Sequence, residues 1–427
     1  MPHTPASQAL RHLNVIDMTH VRTGPVCVRQ LADWGANVWR VERVGDPADF
    51  SGRHEADFQH KHRNKRALAL DLKSKEGRSV LHRMVEQADV IVENYRPDVK
   101  HRLGVDYETL SAINSRLVYA SISAFGQDGP YKDRPGVDQI IQGLSGFMSV
   151  TGAADGPPTR AGIPIADISA GLFAALGVLT ALVERSVSGK GQWVQTSLLE
   201  SQIFMLDLQA IRYLVDGVVA KRVGNEHPTG VPTNAYRTRD GYVNIAPTPP
   251  MWDRLCRALG REEWITHPDY ATKDARRKRR KEVNDLIESI TLEMDSATLL
   301  AKLEAADVPA GLIYDIGQTF ADPQVRHLKM SQKVKSSVLG ELDLLRQPFN
   351  LSRTPAQLAL PTPEFGEHTD EIMRELGYSE AESSSWPAGC SMPGARAPWS
   401  GPEPEYVPHR LPQPPVGDLL SGVDQLE

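Results

Sequence analysis

Residues 13–43, LNVIDMTHVRTGPVCVRQLADWGANVWRVER, run from an apolar stretch through a polar loop and a helical pattern back to an apolar stretch. Nothing else in the chain limits its folding so tightly. Leu13–Met18 has the texture of a buried strand, Pro25 suits a first helical position, and Val38–Val41 is extended again. The unit recurs. RALALDLKSKEGRSVLHRMVEQADVIVENY predicts a strand, a helix from about Ser74 and the strand Val90–Glu93, and RLVYASISAFG predicts a further strand. Strands alternating with helices need crossover connections, so the fold class is α/β with a parallel sheet. Such sheets take ligands beyond the carboxyl ends of their strands. No GxGxxG follows the first strand, so the phosphate-cradling turn of a dinucleotide site is missing.

Further along, Ile168, Leu172, Leu176, Leu179 and Val183 recur at steps of three and four, predicting a long helix over about 168–187 that stops at SGKG. From about residue 226 the texture changes. AYRTRDGYVNIAPTPPMWDRLCRALG predicts a strand pair plus a helix, followed by helices near 281–291 and 296–306. Strand-like segments return near 341–350, and EHTDEIMRELG reads as a short helix closed by Gly377. The Pro-, Ser- and Gly-rich stretch beyond about Glu380 reads as a disordered tail.

At 427 residues the chain is long enough for two or more core-forming units, and 40% hydrophobic with 24% charged residues is the balance of a soluble globular protein. A net charge of -6 argues against a nucleic-acid or anionic-membrane surface as the main partner. Cys27, Cys256 and Cys390 lie far apart without CxxC or Cys/His spacing, which argues against a disulfide framework or structural zinc and fits a reducing cytoplasm. The N-terminus has no apolar signal core, and no unbroken run of about 18 apolar residues occurs. The expected localisation is cytoplasmic.

Within AGIPIADISAG, Asp167 stands among small and apolar residues with no Lys or Arg beside it. Two readings apply, and they are compatible. An Asp at the N-cap of the long helix satisfies an orphan N–H and the helix dipole. A nucleophilic carboxylate gains from the same dipole, which offsets the rise in pKa that burial causes. The small flanks, Ala166, Ser169, Ala170 and Gly171, would admit a bulky substrate. THVRTGP follows the first strand, where His20 is a candidate acid/base and Arg22 a candidate anion clamp, each also readable as a polar loop residue. Arg43, Lys73 and Arg102 each follow a strand or open a helix and together form a candidate phosphate cradle. The basic run ARRKRRKEV, flanked by acids, reads as a solvated helix face. GEHTDEI lacks HExxH spacing and no GxSxG elbow occurs, so neither metal nor Ser/His/Asp hydrolysis is indicated.

Eleven blocks in order, among them LNVIDMTHVRTGP, ADVIVENYRPDVKHRLGVDYETL, GQDGPYKDRPGVD, DGPPTRAGIPIADISAG and GEHTDEIMRELGY, span roughly residues 10–380. In these the chain resembles the family III CoA-transferases (the CaiB/BaiF group), and its N-terminal half looks nearest to the formyl-CoA:oxalate branch. The resemblance implies a Rossmann-like large domain built from both chain ends (1–205 and 329–380), a linker helix over 206–225 and a smaller α+β domain over 226–328. Each subunit would be an open ring interlocked with a second in a homodimer. It also implies transfer of CoA from an acyl-CoA to a carboxylic acid through anhydride and thioester intermediates on Asp167. No metal or tightly bound cofactor is implied, because the coenzyme A thioester is itself a substrate.

Position by position, Val21 matches a backbone contact near the thioester, Arg43, Leu72, Lys73, Asn94 and Arg102 match residues around the CoA adenosine and its phosphates, and Asp138 matches an acid near the nucleophile. Two departures stand out. Arg22 replaces a Gln of the formyl-CoA enzymes, and APTPP stands at their glycine-rich loop. The expectation is that Arg22 pairs with the distal carboxylate of a diacid. The racemases of this fold carry GHD where this chain has GVD, Gly136–Asp138, and a valine is no general base. A non-catalytic CoA-binding protein is the remaining alternative, against which the retained Asp167 counts.

Overall fold

The structure, a computed structural model, describes residues 3–44 and 52–379, and the expected tail over 381–427 lies outside the described residues. The N-terminal half runs β1 (Asn14–Met18), α1 (Thr23–Asp33), β2 (Asn37–Arg43), α2 (Ala56–His62), β3 (Arg66–Leu70), α3 (Lys75–Gln87), β4 (Val90–Glu93), α4 (Pro97–Leu103), α5 (Tyr107–Ile113) and β5 (Val118–Ser123). It continues through α6 (Asp138–Leu144), α7 (Phe147–Val150), α8 (Ile165–Ser188), β6 (Trp193–Ser197), α9 (Leu198–Phe204) and α10 (Leu208–Asp216). All pairings in this sheet are parallel, and its order is β3-β2-β1-β4-β5-β6. The strand order therefore reverses between β1 and β4, which opens a crevice at their carboxyl ends.

The near-continuous apolar strands are explained by burial on both faces. Register aligns Val15 with Val38 and Val90, and Val90 with Val118; these four share one core with α1 and α8. Their neighbours Ile16, Trp39, Ile91 and Tyr119 point to the opposite core, which α3, α5 and Ile372, Met373 and Leu376 complete. The C-terminal segment thus returns to this sheet. Asn64 N–H donates to Leu360 O (3.0 Å), and His368 N–H donates to Ala67 O (2.9 Å) along the edge of β3. A third core lies wholly within residues 231–308. It underlies the antiparallel sheet β7 (Asn234–Arg237), β8 (Tyr242–Ile245), β9 (Ala310–Leu312) and the helices around it.

Several boundaries differ from the sequence reading. Pro25 falls at the third position of α1, because the helix opens at Thr23. The long helix begins at Ile165, three residues before the expected Ile168. Of the stretch 206–225, helix occupies only Leu208–Asp216, since Gly217 adopts a left-handed conformation (φ 67°) and closes it. The strands near 341–350 are a hairpin, β10 (Ser331–Ser336) with β11 (Gly340–Leu345). The basic run is largely the solvated face expected, with Arg277, Lys278, Arg279 and Lys281 exposed, but not all of it is. Arg276 is buried, donating to the Val231 and Tyr270 carbonyls (3.1 and 2.6 Å), while Arg279 pairs with Asp269 and Arg280 with Glu226.

Helix α8 is the one described helix long and apolar enough to cross a membrane. Here it is a core element packed on α1, β5, β6 and α9. Its buried face is small: Ala166, Ser169, Ala170, Gly171, Ala174 and Ala175. Of the predicted stripe, Leu179 packs against the first core and Ile168 is half-buried, while Leu172, Leu176 and Val183 stand at the surface of the chain.

Candidate active site

Two buried carboxylates shape the loops that flank the crevice. Asp17, near the end of β1, accepts the Thr19 N–H (3.0 Å) and hydroxyl (2.6 Å) and the Lys65 ammonium (2.8 Å). Burial alone would raise its pKa, but Lys65 and Arg40 with these hydrogen bonds hold it below the ordinary value. Glu93, the last residue of β4, accepts the Tyr95 N–H (2.8 Å) and pairs with Lys100 (3.1 Å). Both turns use a side chain bonded to the backbone two residues on. The loops are then clipped together: Asn94 Oδ1 accepts the His20 N–H (2.9 Å), and Asn94 Nδ2 donates to the His20 carbonyl (2.8 Å). Beyond His20, Val21 is held at φ 63°, a costly conformation for a β-branched residue, and its carbonyl accepts from the buried Lys61 ammonium.

A cleft of about 670 Å³ opens beside this clip, between the carboxyl ends of β1, β2, β3 and β4. Its floor is apolar, from Val41, Leu70 and Leu72, which are 6%, 1% and 8% exposed. Its rim carries the exposed cations Arg43, Lys73 and Arg102, with His20 and Tyr95 on the side nearest β1 and β4. Such a site offers apolar contact to a flat ring and positive charge to phosphates. Five residues singled out from the sequence, His20, Arg43, Leu72, Lys73 and Arg102, line this one cleft, and Asn94 supports its wall. Arg78, also on the lining, escaped notice; it donates to the Leu72 and Lys73 carbonyls (3.2 and 2.8 Å) and fixes that turn.

Asp167 occupies the third position of α8 and is not its N-cap, which is Pro164. The capping hydrogen bonds come from another element. Asp138 Oδ1, at the start of α6, accepts the N–H groups of Ala166 (2.9 Å) and Asp167 (3.4 Å), and its other oxygen accepts from Gln142 Nε2 (2.7 Å). The Asp167 side chain is thereby released from capping, half-buried, and hydrogen-bonded through Oδ1 to the Thr23 hydroxyl. Burial pushes its pKa above the ordinary value, and the Asp138 charge adds to this. The Thr23 hydrogen bond, Arg22 and Lys61 act in the opposite sense. A raised pKa marks a carboxylate whose ionised form is destabilised by its surroundings, which makes it a candidate for chemistry.

Arg22, the residue preceding α1, forms an ion pair with Asp57 (2.8 Å), which also takes Lys61 (3.0 Å). Burial would raise the Asp57 carboxyl, but these two cations draw it below its ordinary value. Arg22 thus already holds one carboxylate. Val137, where a racemase of this fold would carry its histidine, is an exposed residue preceding α6. His101, Asp106 and Glu108 are the one described trio of His, Cys, Asp or Glu residues close enough to share an ion. Asp106 is engaged there as the N-cap of α5 through Thr109. Thr23, Lys61, Asp57 and the Asp17–Lys65 pair were missed, because each matters through a contact between residues far apart in sequence.

The chain matches the model for "CoA-transferase family III" over residues 10–369. It is 37% identical to succinate–glutarate CoA-transferase of Agrobacterium fabrum, over 86% of this chain and 95% of that one. It is 31% identical to formyl-CoA:oxalate CoA-transferase of Rhodopseudomonas palustris, over 88% of this chain and 95% of that one. Among solved structures, a CaiB/BaiF family protein from Brucella suis superposes with a TM-score of 0.76 at 34% identity, covering 87% of this chain and all of that one.

Proposed function

The chain belongs to CoA-transferase family III, and on that premise we propose that it moves CoA from an acyl-CoA to a free carboxylic acid, with a dicarboxylate on at least one side of the exchange. The observation that carries this reading is the release of Asp167 from capping by Asp138, which leaves a half-buried carboxylate available for bonding. The short His20–Thr23 stretch connects it to the cation-rimmed cleft. In the proposed reaction the Asp167 carboxylate attacks the thioester carbon, the C–S bond breaks and CoA leaves as a thiolate. The thiolate attacks the Asp167 carbon of the mixed anhydride, expels the first acid and leaves an aspartyl-CoA thioester. A second acid repeats these steps in reverse.

Arg43, Lys73 and Arg102 would hold the phosphates of CoA over the apolar floor with Leu72, Asn94 would keep the cleft wall in place, and the Val21 backbone would face the thioester. His20, on the cleft lining nearest β1, would face the pantetheine arm. The diacid preference rests on Arg22 and on the relatives' names, since succinate, glutarate and oxalate are all dicarboxylates. A homodimer fits the exposed apolar residues Leu172, Leu176 and Val183 on α8 and Ile211, Leu214 and Val215 on α10.

The test incubates the protein with succinyl-CoA and a mixture of mono- and dicarboxylic acids, reading new CoA thioesters by mass. Wild type is expected to yield thioesters of diacids and a hydroxylamine-sensitive adduct on the Asp167 peptide. Asp167→Ala is expected to lose activity by on the order of 10⁴-fold or more. A fully active Asp167→Ala would sink the covalent route.

A further inference from the structure

We propose that the Thr23 hydroxyl is a catalytic donor: it holds Oδ1 of Asp167 as the spectator oxygen, leaves Oδ2 to attack, and later steadies negative charge on Oδ1. The inference rests on the reading of Asp167 as the nucleophile and adds a residue and a division of labour between its two oxygens. Among the described residues, Thr23 is the one side chain hydrogen-bonded to Asp167. It is 5% exposed, so water competes little for the bond.

The donor is fixed by a helix crossing rather than by its own loop. Helices α1 and α8 approach so closely at Gly171 that a Cβ there would sit 2.6 Å from the Thr23 carbonyl oxygen and 2.8 Å from Val26. Thr23 opens α1 and Asp167 lies in the first turn of α8, so the two helix starts present hydroxyl and carboxylate to each other.

The electron bookkeeping gives the hydroxyl two tasks. With Oδ1 occupied, Oδ2 bonds to the acyl carbon as the C–S bond breaks and the thiolate departs with the electron pair. Oδ1 is then the carbonyl oxygen of the anhydride, still facing Thr23. When the thiolate adds to the Asp167 carboxyl carbon, the displaced pair moves onto Oδ1, where the hydroxyl donates to the oxyanion without losing its proton. Collapse breaks the bond to Oδ2, and the acid leaves carrying that oxygen. A preorganised donor on a developing oxyanion is worth roughly 10²–10³-fold in turnover.

The same hydrogen bond favours the ionised carboxylate before reaction. The charged groups facing Asp167 are Asp138 from α6, which opposes ionisation, and Arg22 and Lys61 from the start of α1 and from α2, which favour it. Removing the hydroxyl leaves these in place, so the Asp167 pKa should rise and the acid limb of kcat/KM should move to higher pH.

Thr23→Val, Thr23→Ser and Thr23→Ala separate hydroxyl from shape. Steady-state turnover, the pH profile and rapid-quench mass analysis of the Asp167 peptide are the readouts. Thr23→Val is expected to lose about 100-fold in kcat, to accumulate anhydride at the expense of aspartyl-CoA thioester, and to shift its acid limb upward. Thr23→Ser should stay within several-fold of wild type. Should Val pack badly, as a lowered melting temperature would reveal, the Ser/Ala pair decides the same question. Variants lacking the hydroxyl that match wild type in turnover, thioester yield and acid limb overturn the role of Thr23 while leaving an inactive Asp167→Ala intact. An active Asp167→Ala overturns the nucleophile itself.

Discussion

Two aspartates divide one task at the mouth of α8. Asp138 satisfies the helix's orphan N–H groups from outside, so Asp167 need not cap and its carboxylate is available for bonding. Arg22 belongs to the same scale. Its guanidinium is paired with Asp57, so a substrate carboxylate would share or displace that partner. We expect Arg22→Gln to raise KM for dicarboxylic acceptors at least tenfold, about 1.4 kcal/mol, while monocarboxylic acceptors change little. An acceptor panel assayed under one set of conditions checks this, and equal losses for both classes would remove Arg22 from specificity. At this scale the sequence marked Asp167, Arg43 and Lys73 because they sit at a helix start, a strand end and the turn between a strand and a helix, whereas Arg102, expected at such a place, lies in the last turn of α4. Thr23 was not legible, since it stands beside Arg22 in the sequence and nothing in spacing assigns its hydroxyl to a residue in another helix.

At the scale of elements, the α1–α8 crossing controls the site geometry. The first three turns of the buried face of α8, Ala166 to Ala175, are Ala, Gly and Ser, so the backbones approach closely and a threonine on one helix reaches an aspartate on the other. Gly171→Ala is expected to force the helices apart, because the obstructing atoms include a backbone carbonyl that cannot rotate away. Overpacking of this kind costs roughly 1–3 kcal/mol. Calorimetry should report a lower unfolding temperature and the transfer assay a reduced rate, whereas Gly162→Ala, with nothing within 4 Å of its added carbon, should leave stability near wild type. If Gly171→Ala behaved like Gly162→Ala, the close crossing would be wrong. The periodicity of Ile168, Leu172, Leu176, Leu179 and Val183 correctly predicted a helix, but of these Leu179 packs against the core and Ile168 is half-buried, while Leu172, Leu176 and Val183 stand exposed. A hydrophobic pattern records that a face is apolar and not which surface will cover it.

For the whole molecule, the proposed homodimer would bury the exposed Leu172, Leu176 and Val183 of α8 and the apolar residues of α10. Sedimentation should give twice the chain mass for wild type. Leu176→Asp combined with Val183→Asp should lower that mass to the single chain or cause aggregation, since each side chain would otherwise bury about 1.5–3 kcal/mol of apolar surface. An unaltered dimer would exclude this face from the interface. The sequence by itself determined the alternating strands and helices, hence a parallel sheet, because backbone periodicity is a local property. It also marked Asp167 and the cations of the cleft, since they sit at element ends where such sheets bind ligands. Only the tertiary structure decided that Asp138 caps α8, that Thr23 holds Asp167, that Arg22 meets Asp57 and that residues 360–376 close the edge of β3. Each of these is a contact between segments distant along the chain, fixed by how closely two packed elements approach.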